Sequence, residues 1–164
     1  MKPLEAPDTH YLRAAIGWLE LGNPQEAGAE LDRIPARRRG HPDVVEVRWQ
    51  ISSQAGQWQA CVELAELLVR ISPSEAAGYL HRSFALHELK RTQEAFDLLY
   101  PVAQRFPEEA VIPYNLACYA CQLGHLEQAQ DWLKECYDRT DDEAHWQLQA
   151  RHDPDLTALW PAES

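Results

Sequence analysis

Positive charge is scarce in this sequence. Its 15 Lys and Arg stand against 26 Asp and Glu in 164 residues, a formal net charge of −11. A phosphate backbone is gripped by a basic patch or stripe, and the one basic cluster here is Arg37, Arg38 and Arg39, followed by Gly40. That cluster reads as a solvated loop between helical segments, so no nucleic-acid partner is expected. The acidity suits a partner that is itself basic or neutral. Long apolar runs are missing as well, and none approaches the about 20 residues of a membrane-spanning helix. The opening stretch from Met1 to Asp8 has no apolar core of the kind a secretory signal needs, so cytoplasmic residence and no membrane association are the expectations. Cysteine is sparse: Cys61, Cys118, Cys121 and Cys136 lack the density of a disulfide scaffold. Catalytic fingerprints are absent too. There is no G-x-S-x-G, H-E-x-x-H, P-loop or dinucleotide motif, and no nucleophile stands beside an evident base. The expectation is a chain that is not an enzyme and binds no cofactor.

What the sequence does have is apolar content and a period. Hydrophobic residues make up 45% of it, enough for a packed core. Gly22, Gly56, Lys90 and Gly124 follow one another at intervals of 34 residues, and the same spacing returns Ala27, Cys61, Ala95 and Ala129, all small. Two further columns, Leu31/Ala65/Leu99/Leu133 and Ile34/Leu68/Val102/Cys136, are apolar or small throughout. Leu21, Ala55, Leu89 and Leu123 stand at the end of each first helix. Small residues let paired helices approach closely, and aliphatic columns fill the space between one hairpin and the next. A hairpin of this length cannot bury its apolar face alone, so neighbours must stack.

Local signals predict helix, tight turn, helix in each period. Asp8 and Thr9 offer a helix start, with Leu12, Ala15, Ile16 and Leu19 at helical spacing. Gly22 stops that helix, Asn23 caps the next, and Pro24 sits in its first turn. Asp43 and Glu46 open the second hairpin, whose second helix is predicted from about Trp58 to Ile71. The third turns at Lys90-Arg91-Thr92 with Thr92 as candidate cap, and Pro101 falls inside its second helix, where a kink is expected. The fourth runs from about Ala110 to Asp138 and turns at Gly124-His125. Beyond it, Trp146, Leu148, Leu156, Leu159 and Trp160 are predicted to cover the last apolar face as a capping helix plus one short helical turn.

These columns, with Tyr114-Asn115-Leu116-Ala117, Gly124 and Glu127-Gln128-Ala129 in the fourth period, resemble the tetratricopeptide repeat family over most of the chain. The departures are Lys90 for a turn glycine, Trp49 for a small residue, and Arg48 and Arg82 for leucine. They raise the expectation of a register shift in the first helix of the second hairpin. The resemblance implies an all-α, right-handed α-solenoid of four hairpins plus a C-terminal capping helix. It would form a single domain over 1–164, with repeats at about 8–41, 42–75, 76–109 and 110–141 and a cap at 142–164. It also implies a non-catalytic protein–protein interaction module, whose first helices line a concave groove that holds a peptide or protein segment.

Carried onto this chain, that groove comprises Leu12, Ile16 and Leu19 in the first hairpin, and Glu46, Gln50, Ser53 and Gln54 in the second. The third supplies Leu80, His81, Phe84, His87 and Glu88. The fourth supplies Tyr114, Asn115, Cys118, Cys121 and Gln122, with Asn115 the best single contact. The Lys/Arg/Asn clamp that one family branch closes on C-terminal carboxylates is missing, because Leu12, Ile16, Ala77 and His81 occupy its places. The stripe has competing occupants: the C-terminal segment, or a second copy of the chain in a homodimer. Two alternative functions stay open. One is a dedicated chaperone or assembly factor for a single client, homodimeric in one version. The other is a metal-binding regulator or enzyme using Cys118/Cys121 or His145/His152. Cys118 and Cys121 with His125 share a helix face only if the helix extends that far, and a zinc site would need a fourth ligand such as Cys136. Mid-helix cysteines are more often buried apolar groups, so no metal is expected, and a free, partly exposed groove thiol is the preferred reading. His145 and His152 read as part of an exposed, capped helix.

Overall fold

A computed structural model describes residues 3–160, and every regular element among them is helical. The helices are α1 (Asp8–Glu20), α2 (Pro24–Asp32), α3 (Pro42–Gln54), α4 (Trp58–Ile71), α5 (Ala77–Glu88), α6 (Thr92–Leu99), α7 (Val111–Gln122), α8 (Leu126–Asp138) and α9 (Glu143–His152). Short 3-10 turns lie at Ala36–Arg38, Tyr100–Val102 and Pro154–Leu159. The chain forms two compact halves, Met1–Ala85 and Leu86–Ser164, with the division falling inside α5.

The turns follow one design. Gly22, Gly56, Lys90 and Gly124 all adopt positive φ, at 71°, 66°, 63° and 82°. In each turn the amide of that residue donates to a carbonyl three residues back, and the next amide donates five residues back. Gly22 reaches Leu19 and Asn23 reaches Trp18 in the first; Lys90 reaches His87 and Arg91 reaches Leu86 in the third. This is the Schellman closure, which needs a left-handed residue after the helix end. Lys90 holds that conformation with a Cβ that glycine lacks. Lys90→Gly is therefore expected to raise stability by about 0.5 to 1 kcal/mol. Urea denaturation checks this, and an unchanged or lower midpoint contradicts it.

The small column packs as expected, with Ala27, Cys61, Ala95 and Ala129 all at 0% exposure. In the N-terminal half, Ala15, Leu19, Leu31, Ile34, Val44 and Val47 join Ala27 in one core, with Leu12 and Ile51 against it. In the C-terminal half, Leu99, Ile112, Leu116, Tyr119, Leu133 and Cys136 are buried. The column Leu21/Ala55/Leu123 closes the first helices as C-caps, as the sequence places it, and Leu21 is 76% exposed.

Local details refine the sequence reading. Asn23 caps α2 by accepting the Glu26 amide at 3.2 Å, whereas α6 begins at Thr92 with Arg91 in the cap position. Thr92 bonds instead to His87 Nδ1 at 3.0 Å. At Pro101 the α-helix ends at Leu99 and a 3-10 turn takes over, because proline supplies no amide and its ring crowds the carbonyl four residues back. Arg39 closes α2 by donating to the Asp32 and Ile34 carbonyls at 2.7 and 2.8 Å. Arg48 pairs with Asp32 at 2.9 Å, and that bond holds the Asp32 carboxyl below its usual range. The break between α4 and α5 is tight. A Cβ on Gly78 would lie 2.8 Å from the Val69 backbone nitrogen, so only glycine lets α5 start this close to α4.

Candidate functional site

In the N-terminal half, a hollow of about 510 Å³ opens between α1, α3 and the start of α5. Its apolar surface comes from Leu12 and Ile16 of α1, Pro42 and Val47 of α3, and Leu68 of α4. Asp43, Glu46 and Gln50 of α3 and Glu75 from the segment before α5 supply the polar groups. Ala77 and Gly78 complete the wall, so the small residue that brings α5 close to α4 also shapes the site. Of the residues expected in a groove, Leu12, Ile16, Glu46 and Gln50 meet here. Leu19 does not, because it is 6% exposed and belongs to the core. Gln54 donates to the Leu19 carbonyl at 3.4 Å, and Leu80 is half-buried.

Beside the hollow stands an aromatic group. His81 stacks flat on Trp49, with centroids 3.8 Å apart at 10°, while its Nε2 lies 2.6 Å from Glu46 Oε1. Phe84, 37% exposed, meets Trp49 and Trp58 edge-on at 6.4 and 5.7 Å. Trp49 is thus buried by aromatic partners, at the cost of an indole N–H without a hydrogen-bond partner.

The C-terminal half holds a segment of its own chain on the face of α7 expected to carry ligands. The Tyr114 hydroxyl donates to Asp153 Oδ2 at 2.7 Å, and the Cys118 thiol approaches the same oxygen at 3.7 Å. His87 Nε2 lies 3.0 Å from Asp155 Oδ2, and Gln122 donates to the Asp155 carbonyl at 2.9 Å. Leu156 is fully buried at 0% exposure and Leu159 nearly so at 8%. Tyr114, Cys118, Cys121 and His87 are therefore all buried, and Asn115 is half-buried. The thiols are not partly exposed as expected. Burial first, and then the Asp153 carboxylate, push the Cys118 thiol up. Burial also raises Cys121, and lifts Cys61 to about 11 and Cys136 to about 12. Thiols so placed stay protonated, which makes them poor nucleophiles and metal ligands.

All four cysteines are free. His125 stands at the N-cap position of α8 without a side-chain cap bond, outside the α7 helix that carries Cys118 and Cys121. His145 and His152 are exposed, and His152 Nδ1 bonds to the Leu148 carbonyl at 2.8 Å. Among the described residues, no group of three or more His, Cys, Asp or Glu is placed to hold a metal ion. No helix among them is long and apolar enough to cross a membrane.

Repeated hairpins with Schellman turns and a fully buried small column define the class: an all-α, tetratricopeptide-repeat-like α-solenoid fold. Among solved structures, the chain is similar to MamA, residues 41 to the end, from Desulfovibrio magneticus RS-1. That match has 16% identity and a TM-score of 0.72, covering 96% of this chain and 91% of that one. It is also similar to TTC0263, a thermophilic TPR protein in Thermus thermophilus, at 18% identity and TM-score 0.71, covering 93% and 87%. MamA of MSR-1 aligns at 21% identity and TM-score 0.66, covering 82% and 76%. No protein-family model and no curated protein matches the sequence. At these identities the likeness is one of fold.

Proposed function

We propose that the chain is a non-catalytic protein-interaction module, one repeat domain that holds a peptide or protein segment against the hollow of α1, α3 and α5. The observation that carries this reading is the hollow itself, about 510 Å³ with an aliphatic floor. That volume is within the about 300–1,000 Å³ of typical binding pockets. Phe84, about two turns further along α5 and against Trp49 and Trp58, supplies the kind of exposed aromatic anchor on which interface energy concentrates. The corresponding face of α7 already carries the chain's own Asp153–Leu159 segment, so the reading assigns external binding to the N-terminal half. Four unpaired cysteines suit a reducing compartment, and the reading takes the cytoplasm.

The test is selection of short random peptides on the full-length chain, followed by titration against variants. Ile16 is 38% exposed, so Ile16→Arg places a guanidinium on the apolar wall without opening the core. It is expected to weaken the selected peptides at least about tenfold at an unchanged melting temperature. Phe84→Ala is expected to cost about 2 kcal/mol of binding with little loss of helicity. Peptides indifferent to Ile16→Arg would refute the assignment of the hollow, and indifference to Phe84→Ala would remove Phe84 from the site.

A further inference from the structure

We infer that the segment held in the hollow is cationic as well as aliphatic, with an apolar anchor side chain and a lysine or arginine close to it in sequence. This rests on the reading of the hollow as the binding site and adds the chemistry of its occupant. Three carboxylates line the hollow, from Asp43, Glu46 and Glu75, and no lysine or arginine does. Asp43 and Glu46 are one helical turn apart on α3, and Glu75 reaches the site from the segment before α5. The Asp43 side chain is 63% exposed, with His41 Nδ1 3.6 Å from it, and Glu46 is engaged by His81. Among the described residues, no lysine or arginine lies within ion-pairing distance of any of the three.

Carboxylates held around an apolar wall repel one another, and the wall focuses their field into the site. A cation relieves that repulsion, while an aliphatic neighbour covers Leu12, Ile16 and Val47. The formal charge of −11 steers cationic segments towards the chain and opposes a second copy as the occupant.

The experiment uses the peptides selected on the full-length chain. The expected result is enrichment of lysine or arginine within a few residues of Leu, Ile or Phe. Replacing those basic residues with Gln is expected to weaken binding about tenfold. The Asp43→Asn/Glu75→Gln double variant is expected to weaken the parent peptide similarly and to leave the Gln-substituted peptide unaffected. Raising salt from about 50 to 300 mM should weaken the parent peptide only. Neutral or acidic peptides that still lose binding on Ile16→Arg overturn the inference and leave the hollow as the site. Failure to select any peptide, or binding indifferent to Ile16→Arg, overturns both. Self-association in sedimentation that is lost on Ile16→Arg identifies a second copy as the occupant and overturns the inference.

Discussion

Leu156→Ala is expected to lower unfolding free energy by about 3 kcal/mol. Leu156 is at 0% exposure, in the Pro154–Leu159 turn that packs against α7. Truncating a buried leucine loses its transfer energy and leaves a cavity that neighbours refill only in part. Here the loss has a second consequence. The turn holds Asp153 and Asp155 against Tyr114, Cys118, His87 and Gln122, so loosening it uncovers the α7 face. Two readouts follow: a lower urea midpoint, and faster reaction of Cys118 and Cys121 with a thiol reagent below that midpoint. In the parent chain both thiols are 5% exposed and should react slowly. A stability change under about 0.5 kcal/mol, with thiols as sluggish as before, would mean that the segment is a passive tail.

Arg139→Ala is the second large effect, at about 2 to 3 kcal/mol. Its guanidinium donates to the Ala103, Phe106 and Glu109 carbonyls at 3.2, 3.1 and 3.4 Å, and it pairs with Glu135. The stretch between Val102 and Val111 has no regular helix of its own. Its Phe106 and Glu109 carbonyls also accept the Glu109 and Ile112 amides at 3.2 and 3.3 Å, so Arg139 adds a second, charged donor there and ties both to the Ala103 carbonyl. The Arg139 side chain is 11% exposed, and removal loses charge-assisted bonds to three carbonyls at once in a partly dry place. Arg139→Lys keeps the charge but cannot span three carbonyls with one ammonium, so it is expected to restore less than half of the loss. Equal stability of the Lys variant and the parent would show that charge alone matters.

The fold was legible because its signals repeat. A left-handed turn position, a small residue five positions later and an aliphatic column recur at one spacing, and agreement across periods outweighs single exceptions such as Lys90. The Trp58–Ile71 helix and the Asn23 cap could be read directly. Features set by tertiary contact could not. Leu148 was expected to cover the last apolar face, yet it is 60% exposed. Trp146 and Ala150 lie four apart on the packed side of α9, which puts Leu148 on the opposite side. Arg139 shares a column with Arg37 and Arg105, but nothing in that column marks it as the cap of the stretch one period before it. Most of the hollow's lining was missed for a similar reason. Leu12, Ile16, Glu46 and Gln50 follow from helix faces, but Glu75 from the segment before α5 and Gly78 in the first turn of α5 are placed only by how closely α5 approaches α4. The departures at Arg48 and Trp49 also acquire local causes, in the bond to Asp32 and the stack with His81.

Backbone amide shifts of the isotope-labelled full-length chain, followed while a selected peptide is titrated in, test the central claim most directly. The account predicts that the largest changes fall on α1, α3 and residues 72–78, with the amides of α7 and of Pro154–Leu159 unmoved. Changes concentrated on α7, with release of the Asp153–Leu159 segment, would contradict it, because the face now covered would then be the one that binds.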